Sequence, residues 1–235
     1  DIEIICVNDG STDGSLAILQ SFARKDRRIR IIDKQNSGYG NSMNIGMASA
    51  KGEYIGIVES DDFIAKEMFE DLYKLSRRGT VDLIKGNFYD YYEEEDGTSR
   101  KVLNQERSMI PDSEEPFTLE QDAQISWGHP SVWSAIYRRQ FLKERNITFL
   151  EVKGGGWVDN PFFYETLCRA ESIIWTSKPY YYYRKTNPQS SSNHQTNPSL
   201  PLVRMMDNLD VVEKYGNHDF KLELCTDARA LMYLN

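Results

Sequence analysis

The sequence predicts an α/β protein: a mostly parallel sheet with helices on both faces and a helical C-terminal tail. Three observations carry that expectation. Short apolar runs alternate with segments of helical spacing through the first 92 residues, which is how successive βα units read. Two of those runs stop abruptly in polar and acidic residues, at Asn8-Asp9-Gly10 and at Glu59-Ser60-Asp61-Asp62, as strands do at the ligand-binding edge of an open α/β sheet. Finally, 235 residues suffice to bury one sizeable core. It is expected over 1–199, with 1–92 as one half, 93–199 as the other, and a helical segment over 200–235.

The first strand is read over Glu3 to Val7. A turn freed by Gly10 and Gly14 follows, then a helix whose Leu16, Leu19, Phe22 and Ala23 share one face. Ile29 to Ile32 is the next strand, and the glycine-bearing loop Asn36 to Gly40 leads into a helix of small residues, Asn41 to Ala50, that can approach the sheet closely. Tyr54 to Val58 reads as a strand buried on both faces, because it is short, β-branched and aromatic and is closed by charge at each end. A helix from about Lys66 to Arg78 and a strand from Asp82 to Phe88 complete the regular alternation. After Tyr92 the pattern loosens. Residues 93–118 are polar and read as a hairpin excursion that returns at Phe117. Trp133 to Tyr137 is a strand, Arg139 to Arg145 a short helix, and Pro161 to Arg169 a helix with proline in its favoured first position. Ile173 to Trp175 and Tyr180 to Tyr183 are short strands, Asn187 to Pro198 is a Ser/Asn/Pro-rich mobile segment, and two helices begin at Leu200.

Composition excludes several classes. Lys and Arg number 28 against 36 Asp and Glu, a formal charge of −8 without a basic cluster, so nucleic acid is not an expected partner. Three widely spaced cysteines give neither a disulfide framework nor a zinc site. No apolar run reaches the length of a membrane span, and a cytoplasmic setting is expected.

The candidate chemistry lies in the acids. Glu59, Asp61 and Asp62 repel one another unless a cation compensates, and Mg²⁺ or Mn²⁺ suits such oxygen donors. The competing reading is a helix cap: Ser60 and Asp61 for the helix near Lys66. If their strands share one sheet, Asp9, the 59–62 cluster and Asp159 converge on one crevice. There Asp9 accepts from a nucleotide's base or ribose, a metal at Asp61 or Asp62 neutralises a pyrophosphate leaving group, and Asp159 takes a proton from an attacking hydroxyl. A turn role for Asp9 and a helix-cap role for Asp159 compete with that assignment.

Val7-Asn-Asp-Gly-Ser-Thr-Asp13, Asn36-x-Gly38, Asn44-x-Gly46, Gly52-Glu-Tyr-Ile55 and Glu-Ser-Asp-Asp62 together resemble the donor half of family 2 glycosyltransferases of the GT-A fold. Trp133-Ser-Ala-Ile-Tyr-Arg-Arg139, Trp157-Val-Asp159 and Tyr182-Tyr-Arg-Lys185 resemble later landmarks of bacterial polysaccharide members, so the likeness spans about 1–190. It implies an inverting, metal-dependent transfer of sugar from a nucleotide-sugar donor, most often a UDP-sugar, to a glycan or lipid-linked acceptor in bacterial surface polysaccharide synthesis. Donor-binding residues would be Asp9, Gly10, Asn36, Gly38, Glu59, Ser60 and Asp61; metal ligands Asp61 and Asp62; and the catalytic base Asp159. Trp157, beside that base on a Gly-rich loop, would stack an acceptor sugar. Three departures stand out: Glu59 where aspartate is usual, Val158 where glutamate often precedes the base, and an earlier family strand that does not occur before Asp1. They leave a non-catalytic nucleotide-sugar or glycan-binding module as the alternative. A peripheral position at the inner face of the plasma membrane and a homo-oligomer are both compatible with this reading.

Overall fold

A computed structural model describes residues 1–94, 96–152, 156–187, 197–216, 221, 222 and 225–227. β1 (Ile4–Asp9) and β2 (Ile29–Lys34) run parallel, joined by α1 (Ser15–Ala23). β1 extends two residues past the predicted Val7, so Asp9 ends a strand and does not sit in a turn. α2 (Tyr39–Ser49) lies against β1, where a methyl built on Gly46 would stand 3.4 Å from Val7. The small residues of this helix allow the approach that their composition predicts. Asn44 fastens α2 to the far half of the chain: its amide donates to Phe149 O (2.9 Å) and accepts from Phe149 N (2.8 Å).

β3 (Tyr54–Gly56), β4 (Phe63–Ile64) and α3 (Met68–Leu75) precede β5 (Leu83–Glu93). α3 is shorter than the predicted Lys66 to Arg78, because Arg77, Arg78 and Gly79 all take left-handed backbone that no α-helix continues through. β6 (Ser99–Leu103) is the expected hairpin partner of β5, and Phe117 returns to pair with Ile173. β7 (Ala135–Arg138), α4 (Arg139–Glu144), α5 (Asp159–Arg169), β8 (Ile173–Arg184) and α6 (Leu200–Tyr215) follow. β8 unites the two short strands predicted there; the register shifts of β5 against it, at Gly86 to Phe88, lie where it passes through Pro179. The segment from 188 to 196, residues Gly154 and Gly155, and most of the second predicted C-terminal helix lie outside the described residues.

The α/β class and the helical tail stand, whereas the sheet is mixed in direction. In the larger sheet the strand order is β3-β7-β5-β8-β4, with β6 on β5. β5 and β8 are parallel, and the other neighbours are antiparallel. Parallel pairing needs crossovers of a dozen residues or more; β5 reaches its parallel neighbour β8 only by the long excursion that contains α4 and α5, whereas β6 returns on β5 by a short hairpin and is antiparallel. The expected doubly buried strand at Tyr54 to Val58 is also corrected. β3 ends at Gly56, pairs with β7 alone at the margin of the sheet, and leaves Val58 45% exposed. Gly56 ends it against the Phe69 ring, which an added methyl would approach to 2.3 Å.

The core lies around β5, β7, β8 and α5, with Trp175, Phe162, Phe163, Tyr137 and Tyr181 fully buried. Two cations are buried with them. Lys85 donates to Pro130 O (3.0 Å) and Ser131 O (2.6 Å), and Arg107 to Ile125 O (3.1 Å) and His129 O (2.8 Å), so both staple the 125–131 loop by its carbonyls. β1 and β2 form a separate pair, and α1 buries no residue at all.

Candidate active site

One wall is built on Asp9. Its carboxylate accepts the backbone N–H groups of Ser37 (2.9 Å) and Gly38 (3.0 Å) and pairs with Lys34. Burial works against its charge, but Lys34 and the two N–H groups outweigh it and hold the carboxyl below its ordinary value. Asn36 donates to Asp9 O (3.0 Å). Gly10, at φ +70°, passes so close that an added methyl would stand 2.8 Å from Asn36 N. Gly38, at φ +94°, then turns the loop into α2. Asp9, Gly10, Asn36 and Gly38 thus form one structure, although 26 residues or more separate the two pairs in sequence. With three donors engaged, a carboxylate keeps roughly one further acceptor position.

The opposite wall is the turn between β3 and β4. Tyr39, the first residue of α2, donates its hydroxyl to Glu59 Oε1 (2.6 Å), tying the two walls together. The Tyr181 hydroxyl sits inside the turn, accepting from Glu59 N (3.0 Å) and donating to Asp62 Oδ2 (2.9 Å). Asp62 Oδ1 accepts from Arg184 N (2.8 Å), and Asp61 Oδ2 from Asn187 (2.9 Å). Burial pushes the Glu59 carboxyl up to about 7; the Tyr39 hydrogen bond opposes this, while the charges of Asp159, Asp62 and Asp61 add to it. Asp62 is pushed up to about 6, by burial first and then by Asp61, against its hydrogen bonds from Arg184 and Tyr181. The helix-cap reading of Ser60 and Asp61 fails, since α3 begins at Met68 with Glu67 at its N-cap position. Ser60 is exposed in the turn.

Asp159 opens α5, two residues earlier than the predicted start, and lies near enough for its charge to act on Glu59 and Tyr39. Trp157 precedes it with left-handed backbone, φ +61°, and its carbonyl accepts from Asn160. Among the described residues, no three His, Cys, Asp or Glu side chains form a ready cation cage. The donors nevertheless fit a hard cation. Asp61 and Asp62 offer carboxylate oxygens that each accept at most one protein hydrogen bond, and Mg²⁺ typically takes one or two carboxylates and completes its shell with phosphate oxygens and water.

Sequence reasoning found the acids and missed the hydroxyls. Tyr39 and Tyr181 link residues 20 and 122 positions apart, a relation no local pattern encodes. Tyr181 is also an ordinary core residue, stacked on Trp133 at 4.1 Å, which is the reading its apolar run supports.

The family model described as "Glycosyl transferase family 2" matches residues 1–145. The uncharacterized glycosyltransferase EpsJ of Bacillus subtilis is 30% identical over 202 residues, which are 85% of this chain and 57% of EpsJ. S. aureus TarS in complex with UDP-GlcNAc superposes with a TM-score of 0.76 at 24% identity, over 99% of this chain and 62% of the other. The mannosyltransferase PcManGT of Pyrobaculum calidifontis, in complex with GDP-Man and Mn²⁺, gives 0.59 at 15% identity, over 97% and 59%. The chain therefore spans little more than half the length of EpsJ.

Proposed function

Because this chain belongs to glycosyl transferase family 2 and has the GT-A fold, we propose that it carries the donor site and catalytic base of an inverting, metal-dependent sugar transfer from a nucleotide-sugar to a glycan or lipid-linked acceptor. The observation that carries the proposal is the Tyr39–Glu59 hydrogen bond. It brings the Asp9 loop and the acid turn face to face, with the charge of Asp159 acting on the same carboxylate. Asp9 uses its remaining acceptor position for the nucleotide base, and Gly10, Asn36 and Gly38 shape the backbone around it. Glu59, fixed by Tyr39 and Tyr181, borders the ribose and diphosphate together with Ser60. Asp61 and Asp62 would hold Mg²⁺ or Mn²⁺, which when bound neutralises charge on the departing diphosphate. Asp159 accepts the proton of the acceptor hydroxyl as that oxygen displaces the nucleotide at the anomeric carbon, with no covalent sugar-enzyme intermediate. Trp157 flanks Asp159 on the acceptor side.

A UDP-sugar is the donor this reading favours, on the likeness to TarS, whose structure holds UDP-GlcNAc. Calorimetric titration of UDP, with GDP as competitor, tests it. Binding is expected with Mn²⁺ and is expected to disappear with EDTA or in Asp61→Ala. Transfer by the full-length protein is expected to be lost in Asp159→Asn while UDP affinity persists. UDP binding that ignores both EDTA and Asp61→Ala would overturn the metal assignment, and undiminished transfer by Asp159→Asn would overturn the base.

A further inference from the structure

The proposed chemistry makes no use of the motif Asn44-x-Gly46, yet its asparagine is bonded to one distant segment from both ends of its amide. The Asn44 amide nitrogen donates to Phe149 O (2.9 Å) and to Glu151 Oε1 (2.8 Å), and its oxygen accepts from Phe149 N (2.8 Å). One turn earlier on α2, Asn41 donates to the other Glu151 oxygen (3.0 Å) and accepts from the Ser37 hydroxyl (2.5 Å). Ser37 is the residue whose N–H holds Asp9. A continuous polar chain therefore leads from the Asp9 loop to residues 149–151.

From there the link is apolar. The Phe149 ring is buried, 2% exposed. It meets the Tyr39 ring edge-on at 5.8 Å and lies flat on Phe162, with centroids 4.0 Å apart and planes within 10°. Tyr39 is the side chain bonded to Glu59, and Phe162 stands on α5 three residues after Asp159. A single ring thus lies between the donor walls and the helix that carries the proposed base. Close packing makes such a ring a mechanical link, because a shift on one of its faces leaves a void or a clash on the other.

We propose that Asn44 and Phe149 are positioning residues: they hold α5 in register with the donor walls, so that a nucleotide bound at Asp9 fixes Asp159 for the transfer. This rests on the glycosyltransferase reading of the site, in which neither residue is a donor contact.

Hydrogen exchange of the Phe162 to Leu167 amides, followed with and without saturating UDP or GDP and Mn²⁺, tests it, with nucleotide affinity measured by calorimetry on the same samples. The bound nucleotide is expected to slow exchange there about fivefold or more. Asn44→Ala and Phe149→Leu are each expected to lose that protection while nucleotide affinity stays within about twofold. Should Asn44→Ala fail to fold, Phe149→Leu carries the test alone. Leu72→Ala, a truncation of a fully buried α3 side chain, is the control: it is expected to lower the melting temperature and to keep the protection. Nucleotide binding that leaves these amides unprotected, or protection that survives in both variants, overturns the positioning role. So does loss of protection in Leu72→Ala, which would make the effect one of stability alone. Binding of neither nucleotide removes the donor reading, and the positioning role with it.

Discussion

At the scale of single residues, Glu59 behaves least as its type predicts. Its carboxyl is pushed from an ordinary value near 4.5 up to about 7, chiefly by burial. Between those two values the folded chain holds a proton that the unfolded chain has released, so stability falls as pH rises through that window and levels off above it. Asp62, raised from 3.8 to about 6, steepens the acid side of the same slope. Thermal melts in EDTA are expected to show the melting temperature declining from about pH 4.5 to pH 7. Glu59→Gln, which can still accept from Tyr39, is expected to flatten that decline, and an unchanged slope in the variant would show that the proton sits elsewhere. The charge crowding was legible in the sequence, because three acids in four positions can be counted. The burial that sets its magnitude was not, because it arises where the turn packs against α2 and β8, whose Tyr39 and Tyr181 bond to Glu59 from 20 and 122 positions away.

At the scale of elements, contact with α2 decides where the walls of the crevice stand. A methyl at Gly40 would meet Leu150 O at 1.9 Å, a backbone atom that cannot swing aside. Alanine is the better helix former by about 1 kcal/mol, yet Gly40→Ala is expected to destabilise the protein by about 1–3 kcal/mol through overpacking, measured by urea denaturation. Gly14→Ala, with nothing within 4 Å of the added methyl, is the control expected to stay within about 0.5 kcal/mol of the parent. Elements with strong periodicity or a β-branched run, such as β1, β2, α2 and β5, could be read from the sequence to within a few residues. β4 could not, since two residues carry no period. The sequence predicts two strands in place of β8 because Ser177, Lys178 and Pro179 interrupt its apolar pattern, and there the ladder with β5 skips Ser177 and Lys178, whose N–H groups bond to the Asp112 and Thr176 side chains. The spacing predicts too long an α3 because Arg77 and Arg78 give no sign in the sequence of their left-handed backbone.

At the scale of the whole molecule, burial is uneven. The larger sheet with α3 and α5 holds the core, whereas the β1–α1–β2 unit buries no apolar side chain and leaves Ile18 58% and Phe22 56% exposed. Regions with few buried apolar contacts open at lower free energy than the core. Amides of Ile4–Asp9 are therefore expected to exchange with deuterium faster than those of Leu83–Phe88, and equal protection would mean that the unit unfolds only with the rest. The clamps between the two parts have a consequence for the order in which the protein is made. Asn44 waits for Phe149, 105 residues downstream, and Glu59 waits for Tyr181, 122 residues downstream. A chain growing from the ribosome thus carries the acid turn long before Tyr181 and Arg184 emerge. Until then the carboxyls of Glu59 and Asp62 lie in water at ordinary acidity, and the crevice becomes a distinct environment only when β8, the last described strand, has been delivered.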